Sequence, residues 1–226
     1  FDRSQVLDQL RPPAHAPEFS RVFAARTCMM AGVGLTGVFL WYLVRFWVYG
    51  KAVVLTSAPL TIPAGFLIAG MAVATLIGAA LASWAAGPIS ERIEEKNIPV
   101  ARVVAGACLL YAAGLALAWG LGVWSTGTAR ENGMLLFALI SGFAFGVYDS
   151  LGLELVMDSL PDPRRAGHDL GIYALANSAG LALAAIIGAL LVNAFEHSFG
   201  YYLLFPSAIV MVLLAGIVTL TTKSAE

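Results

Sequence analysis

The chain has 226 residues, of which 59% are hydrophobic and only 12% charged, about half the charge content of an ordinary soluble domain. Water does not tolerate such a surface, and the apolar residues come in long runs that match the ~20 residues a helix needs to cross a hydrocarbon core about 30 Å thick. The formal net charge of −1, without any basic block, excludes the usual signature of a nucleic-acid partner, and the lipid bilayer is the expected surrounding.

Residues 1–22 carry Asp2, Arg3, Asp8, Arg11, Glu18 and the Pro12-Pro13 pair, and read as an aqueous linker. The chain starts at Phe1 and its first twenty residues are too polar for a signal peptide, so an upstream segment is expected. Six spans follow, over about 23–48, 62–87, 100–124, 133–158, 170–195 and 201–222, and 223–226 form a short tail. Charged or polar turns separate them, notably GPISERIEEKNIP after the second span and DSLPDPRRAGHD after the fourth. Cys28 and Cys108 lie inside apolar runs and read as small core residues, not as a disulfide. His15, His168 and His197 are scattered and form no ligand pair, so neither metal nor other cofactor is expected, and no enzymatic motif stands out.

Of the 13 Lys and Arg residues, all but Arg45, Lys51 and Arg130 fall in one set of aqueous segments, the two ends and the turns after spans two and four. Short loops rich in Lys and Arg stay in the cytoplasm, which places both termini inside. Tyr42, Trp47, Tyr49, Trp124, Tyr201 and Tyr202 then gather at the outer ends of spans, where amphipathic rings are favoured.

Polar groups in hydrocarbon are costly unless they face protein or water, so their distribution identifies spans able to wall a cavity. Spans three and six carry few and read as lipid-facing, whereas spans one, four and five carry Thr36, Tyr148, Asp149, Tyr173 and Asn177 among others. On the fifth span Ala176, Gly180, Ala184 and Gly188 recur every four residues, a stripe suited to close helix packing. Asp149 lies about 14 Å along the helix axis from Asp158, well inside the hydrocarbon. It shares a stripe with Gly142 and Gly146, which admits either a close helix neighbour that hydrogen-bonds it or a polar cavity in which it binds a proton or solute. Glu154 and Asp158 are closer to the inner surface and suit interfacial anchoring or pairing with Arg164 and Arg165.

The second-to-third turn, with Gly87, Glu91, Arg92 and Lys96, resembles the cytoplasmic signature of major facilitator transporters, although Glu94 and Glu95 stand where that signature has a second glycine and an arginine. The segment GVYDSLGLELVMDSLPDPRRAGHDLGIYALANSAG is similar to the tenth-to-eleventh helix region of a bacterial branch of that superfamily, through Asp158, Leu160, Pro161, Gly167, Asp169, Leu170, Gly171 and Asn177. The resemblance implies an all-α integral membrane fold: a six-helix bundle forming the C-terminal half, helices seven to twelve, built as two inverted three-helix repeats. It further implies a conformational-switch loop at Gly87, Glu91, Arg92 and Lys96, where Gly87 permits close helix contact, and a second cytoplasmic loop with Asp158, Arg164, Arg165 and Asp169.

On this reading the protein is half of a secondary transporter for a small organic solute, in the bacterial inner membrane. Asp149, Tyr148, Asn177, Tyr173 and Thr36 line the solute or proton pathway, and a second six-helix half faces them. The alternative is a transporter-like fold serving as an accessory or scaffold subunit of a larger membrane complex.

Overall fold

The computed structural model describes residues 17–49, 62–124, 128–160, 166–195 and 197–222. Arg164 and Arg165, most of the expected linker and the tail lie outside them. The described residues are all-helical, and six helices are long and apolar enough to cross a membrane. They are α1 (Pro17–Gly37), α2 (Ile62–Lys96), α3 (Val100–Trp124), α4 (Thr128–Asp158), α5 (Ala166–Ala194) and α6 (His197–Leu220). After α1 the first span continues through a short turn, Leu40–Tyr42, into a π-helical stretch, Leu43–Val48.

The first helix begins at Pro17, earlier than the expected start at Phe23. Proline is favoured at a helix start because its missing N–H has no partner there anyway, and Glu18 in the first turn complements the positive helix end. Arg21 ties this end to α6: its Nη1 is 2.7 Å from Glu18 Oε1 and donates to the Thr221 carbonyl at 3.0 Å. The expected charged turn after the second span is instead helix, because α2 runs on to Lys96, past Gly87 and Pro88. The run from Ser90 to Lys96 is rich in strong helix formers, and the stop comes at Asn97, whose φ of 50° is left-handed. There the Asn97 N–H donates to Glu94 O and the Ile98 N–H to Ile93 O, the two bonds that close a left-handed helix stop.

Packing pairs α1 with α5 and α6, α4 with α2 and α3, and α3 with α6. Exchanging the first three helices with the last three maps α1–α5 onto α4–α2 and α1–α6 onto α4–α3 and leaves α3–α6 unchanged, as two inverted repeats require. Small residues make each seam. Gly34 meets Ala184, and Gly180 lies against Met30 and the Thr27 carbonyl, so the fifth-span stripe packs on α1. In the equivalent place between α2 and α4, Gly142 lies on the Thr75 backbone, Gly78 on the Leu139 carbonyl and Gly146 on Ala82. Without a hydrophobic force between helices in lipid, such close backbone approach is what holds them together.

Spans three and six each bury one face in the bundle and turn the other outward, with Leu109 and Leu117 of α3 and Val210 and Ile217 of α6 exposed. Cys108, Tyr111 and Leu115 of α3, and Tyr201, Leu204, Phe205, Ala208 and Val212 of α6, are buried within the bundle. The most exposed helices are α2 and α5, which present Phe66, Leu76, Trp84, Ile186 and Leu190 outward. A count of polar residues misses this because alanine and glycine bury a membrane helix as well as polar groups do. The expected aromatic belt is likewise partly internal. Phe46 stacks on Tyr201 at 5.3 Å and Trp47 meets Tyr202 edge-on at 3.9 Å, while Trp124 points outward.

Candidate functional site

Arg26 of α1 sits nine residues from Pro17, about 14 Å along the helix axis. Its side chain is 9% exposed, and its Nη1 is 2.7 Å from Oδ1 of Asp149, whose own side chain is 55% exposed. The two depths match, since Asp149 is also about 14 Å from the end of α4. The Arg26 Nε donates to Oδ1 of Asn177 on α5 at 2.7 Å. Three rings surround the guanidinium carbon, those of Phe145 and Tyr148 at 5.6 Å and of Tyr173 at 5.7 Å. Guanidinium is the cation best suited to this setting, because its planar, weakly hydrated charge stacks on rings while its edge donates in fixed directions.

Four of the five expected pathway residues, Asp149, Tyr148, Asn177 and Tyr173, therefore meet around Arg26. Thr36 does not. It lies ten residues further along α1, buried, with its hydroxyl donating to the Val33 carbonyl at 3.1 Å. Arg26 counts in the sequence only among the cytoplasmic cations, at the margin of the expected span, and the structure sets it more than two turns inside the first helix. The available signal was its position: once Pro17 starts the helix, Arg26 is more than two turns inside. The cluster also joins the two tightly packed pairs, α1 with α5 and α2 with α4, across a place where α1 and α4 otherwise touch little.

Beside Asp149 lies a cavity of about 390 Å³. Its wall includes Thr75, Ala79 and Ser83 of α2, Tyr111 of α3, and Ser141, Gly142, Phe145, Gly146, Asp149 and Ser150 of α4, with Val33 from α1. Of the three spans expected to form the wall, four supplies most of it and one a single residue. Span five supplies none of it, while α2 and α3 take its place. The glycines of the stripe press on α2, while the Asp149 carboxylate lies on the cavity wall and pairs with Arg26 of α1.

The expected switch residues Gly87, Glu91, Arg92 and Lys96 are exposed on the end of α2. A Cβ at Gly87 would meet nothing within 4 Å, so the close helix contact expected of this glycine is not made within the described chain. Gly87→Ala is therefore expected to leave thermal melting unchanged or to raise it slightly, since alanine in a helix is better than glycine by roughly 0.5–1 kcal/mol. A fall of several degrees in detergent would show a contact at Gly87. Asp158 is exposed at the end of α4, whereas Asp169 is buried in the first turn of α5, with its Oδ1 3.2 Å from Nδ1 of His168. An acid there complements the positive helix end, a structural use that accounts for its burial. Among the described residues no three His, Cys, Asp or Glu side chains gather as a metal site would need.

The family model of the Major Facilitator Superfamily matches residues 63–226, well over half of the chain, and the chain belongs to that superfamily. No curated protein and no solved structure matches it. The family is one of transporters, and with six membrane-length helices the protein is a multi-pass integral membrane protein.

Proposed function

We propose that this member of the Major Facilitator Superfamily forms the C-terminal half of a secondary active transporter that moves a small organic solute by alternating access. The observation that carries the reading is the Arg26 and Asp149 pair, held about 14 Å inside the helix ends beside a cavity of about 390 Å³. Charges at that depth are costly, and in membrane proteins they mark solute or ion pathways. Asp149, Tyr148, Asn177 and Tyr173 form the pathway together with Arg26, and Asp149 is the candidate for proton coupling. The outward faces of α2 and α5, with Phe66, Trp84, Ile186 and Leu190, are the most exposed apolar surfaces of the bundle and suit a second six-helix half. In the alternating cycle the exposed Gly87, Glu91, Arg92 and Lys96 meet that half in one state and leave it in the other.

Uptake of labelled small solutes by the reconstituted full-length protein, with and without a pH gradient, tests the reading. Accumulation driven by a gradient is expected. Absence of uptake under every gradient, with the protein recovered from its membrane in fixed ratio to other subunits, would favour the accessory-subunit alternative.

The distribution of cations further supports a bacterial inner-membrane protein with both ends in the cytoplasm. Glu91 and Thr128 are exposed at opposite ends of the bundle. In a background with Cys28 and Cys108 replaced, an impermeant maleimide applied to intact cells should modify Thr128→Cys and spare Glu91→Cys. The reverse pattern would invert the topology.

A further inference from the structure

The chemistry of the cavity wall is one-sided. Each aliphatic hydroxyl on it donates its single hydrogen back to its own helix: Thr75 to the Met71 carbonyl at 2.9 Å, Ser83 to Ala79 at 3.1 Å, Ser141 to Ala138 at 3.0 Å and Ser150 to Gly146 at 2.9 Å. The Tyr111 phenol is engaged with the Thr36 hydroxyl. What the four aliphatic hydroxyls turn toward the cavity is oxygen lone pairs. The sixth polar group is the Asp149 carboxylate, an acceptor only when ionised, with Oδ1 on Arg26 and more than half of its side chain exposed. Arg26 is not part of the wall, since two of its nitrogens are turned to Asp149 and Asn177 and rings cover its faces. Among the described lining residues, then, the four aliphatic hydroxyls have given their hydrogens to the backbone, and the one charge facing the cavity is negative.

We propose that the solute is a small organic cation, a primary or secondary ammonium whose N–H groups donate to Asp149 and the neighbouring hydroxyl oxygens. The inference rests on the transporter reading above, to whose solute it assigns a chemical class. A carboxylate or phosphate would face mostly lone pairs and a like charge, which is repulsive. A neutral solute could use the hydroxyl oxygens but would forgo the charge-assisted bond to Asp149, roughly twice as strong as a neutral one.

Three probes of matched shape separate these cases: 2-phenylethylammonium, 2-phenylethanol and phenylacetate. The readout is protection of Ser83→Cys from a maleimide, in full-length protein reconstituted with Cys28 and Cys108 replaced. Ser83 is exposed on the cavity wall and cysteine is close to it in size. The ammonium is expected to protect at concentrations at least about tenfold lower than the alcohol, with the carboxylate weakest. Adding Asp149→Asn should remove the advantage of the ammonium and leave the alcohol unchanged. If that variant does not fold, Thr75→Val, which deletes one acceptor at nearly constant volume, should weaken the ammonium severalfold. Equal protection by all three probes, or tightest protection by phenylacetate, would overturn the assignment. Uptake of labelled 2-phenylethylammonium is read separately: protection without any uptake keeps the ligand class and removes the transporter reading, while gradient-driven accumulation supports both.

Discussion

Asp149→Asn is expected to lower solute uptake by the reconstituted protein about 10- to 100-fold, with expression retained and melting lowered by several degrees. Asparagine keeps the size of the side chain and an oxygen to accept the Arg26 Nη1 hydrogen bond, which measures 2.7 Å in the native pair. What it removes is the charge, leaving Arg26 inside the span with the Asn177 oxygen and three rings but no counter-ion. Breaking a fully buried pair costs about 3–5 kcal/mol. Here the exposure of Asp149 to the cavity reduces that to about 1–3 kcal/mol, because water screens the charge, and each 1.4 kcal/mol is tenfold. Arg26→Met should be harsher for stability, since it also empties the space among Phe145, Tyr148 and Tyr173. Arg26→Lys should fall between, because an ammonium cannot hold Asn177 and Asp149 along one planar edge. Uptake within twofold of wild type in Asp149→Asn, with unchanged pH dependence, would reduce the pair to a packing element and move the coupling site elsewhere.

Gly142→Ala is expected to be the most damaging one-carbon addition in the membrane region. A Cβ there collides with the Thr75 carbonyl oxygen and lies 2.9 Å from the Thr75 Cα. These are backbone atoms that no side-chain rotation relieves, so α2 and α4 must separate. Overpacking of this kind costs about 1–3 kcal/mol, which for a chain of this size is a fall of roughly 2–12 °C in the melting temperature. Because Gly142 and Thr75 also line the cavity, solute protection should weaken along with stability. Gly180→Ala, against the Thr27 carbonyl at 2.6 Å and the Ala31 nitrogen at 3.0 Å in the equivalent seam, should destabilise to a similar degree but spare the cavity wall. Gly106→Ala meets open space and serves as the control, with melting unchanged or slightly higher. Equal melting of all three variants and the native protein, followed by near-ultraviolet circular dichroism in detergent, would show that the seams are looser than their geometry.

The helices were legible in the linear order because the bilayer imposes a length and a polarity that any sequence must meet: Val100–Trp124 occupies the expected third span residue for residue. The stripe of Ala176, Gly180, Ala184 and Gly188 was legible for a similar reason, since only small side chains let two backbones approach and their four-residue recurrence keeps them on one face. The depth of Asp149 followed from arithmetic along a helix. Boundaries set by local chemistry were read less well. The charged run after Trp84 looked like a turn because it is polar, yet Ser90 to Lys96 are strong helix formers and the real stop is the left-handed Asn97.

Which residue faces which was decided by the tertiary structure alone. In water a helix declares its buried side by an apolar stripe; in lipid both sides are apolar, so the pattern that would have placed Cys108 and Tyr111 inside, or Thr75 and Ser83 on the cavity, is missing from the sequence. The pairing of Arg26 with Asp149, and with Asn177 at a separation of 151 residues, depends on α1 lying between α4 and α5. That arrangement is set by the glycine seams acting together, and not by anything within reach of Arg26 along the chain. The sequence by itself determined that charges and hydroxyls enter the membrane and at what depth. Only packing decided that the guanidinium is enclosed by rings while the carboxylate opens onto the cavity, because the exposure of a charge depends on the helices that surround it.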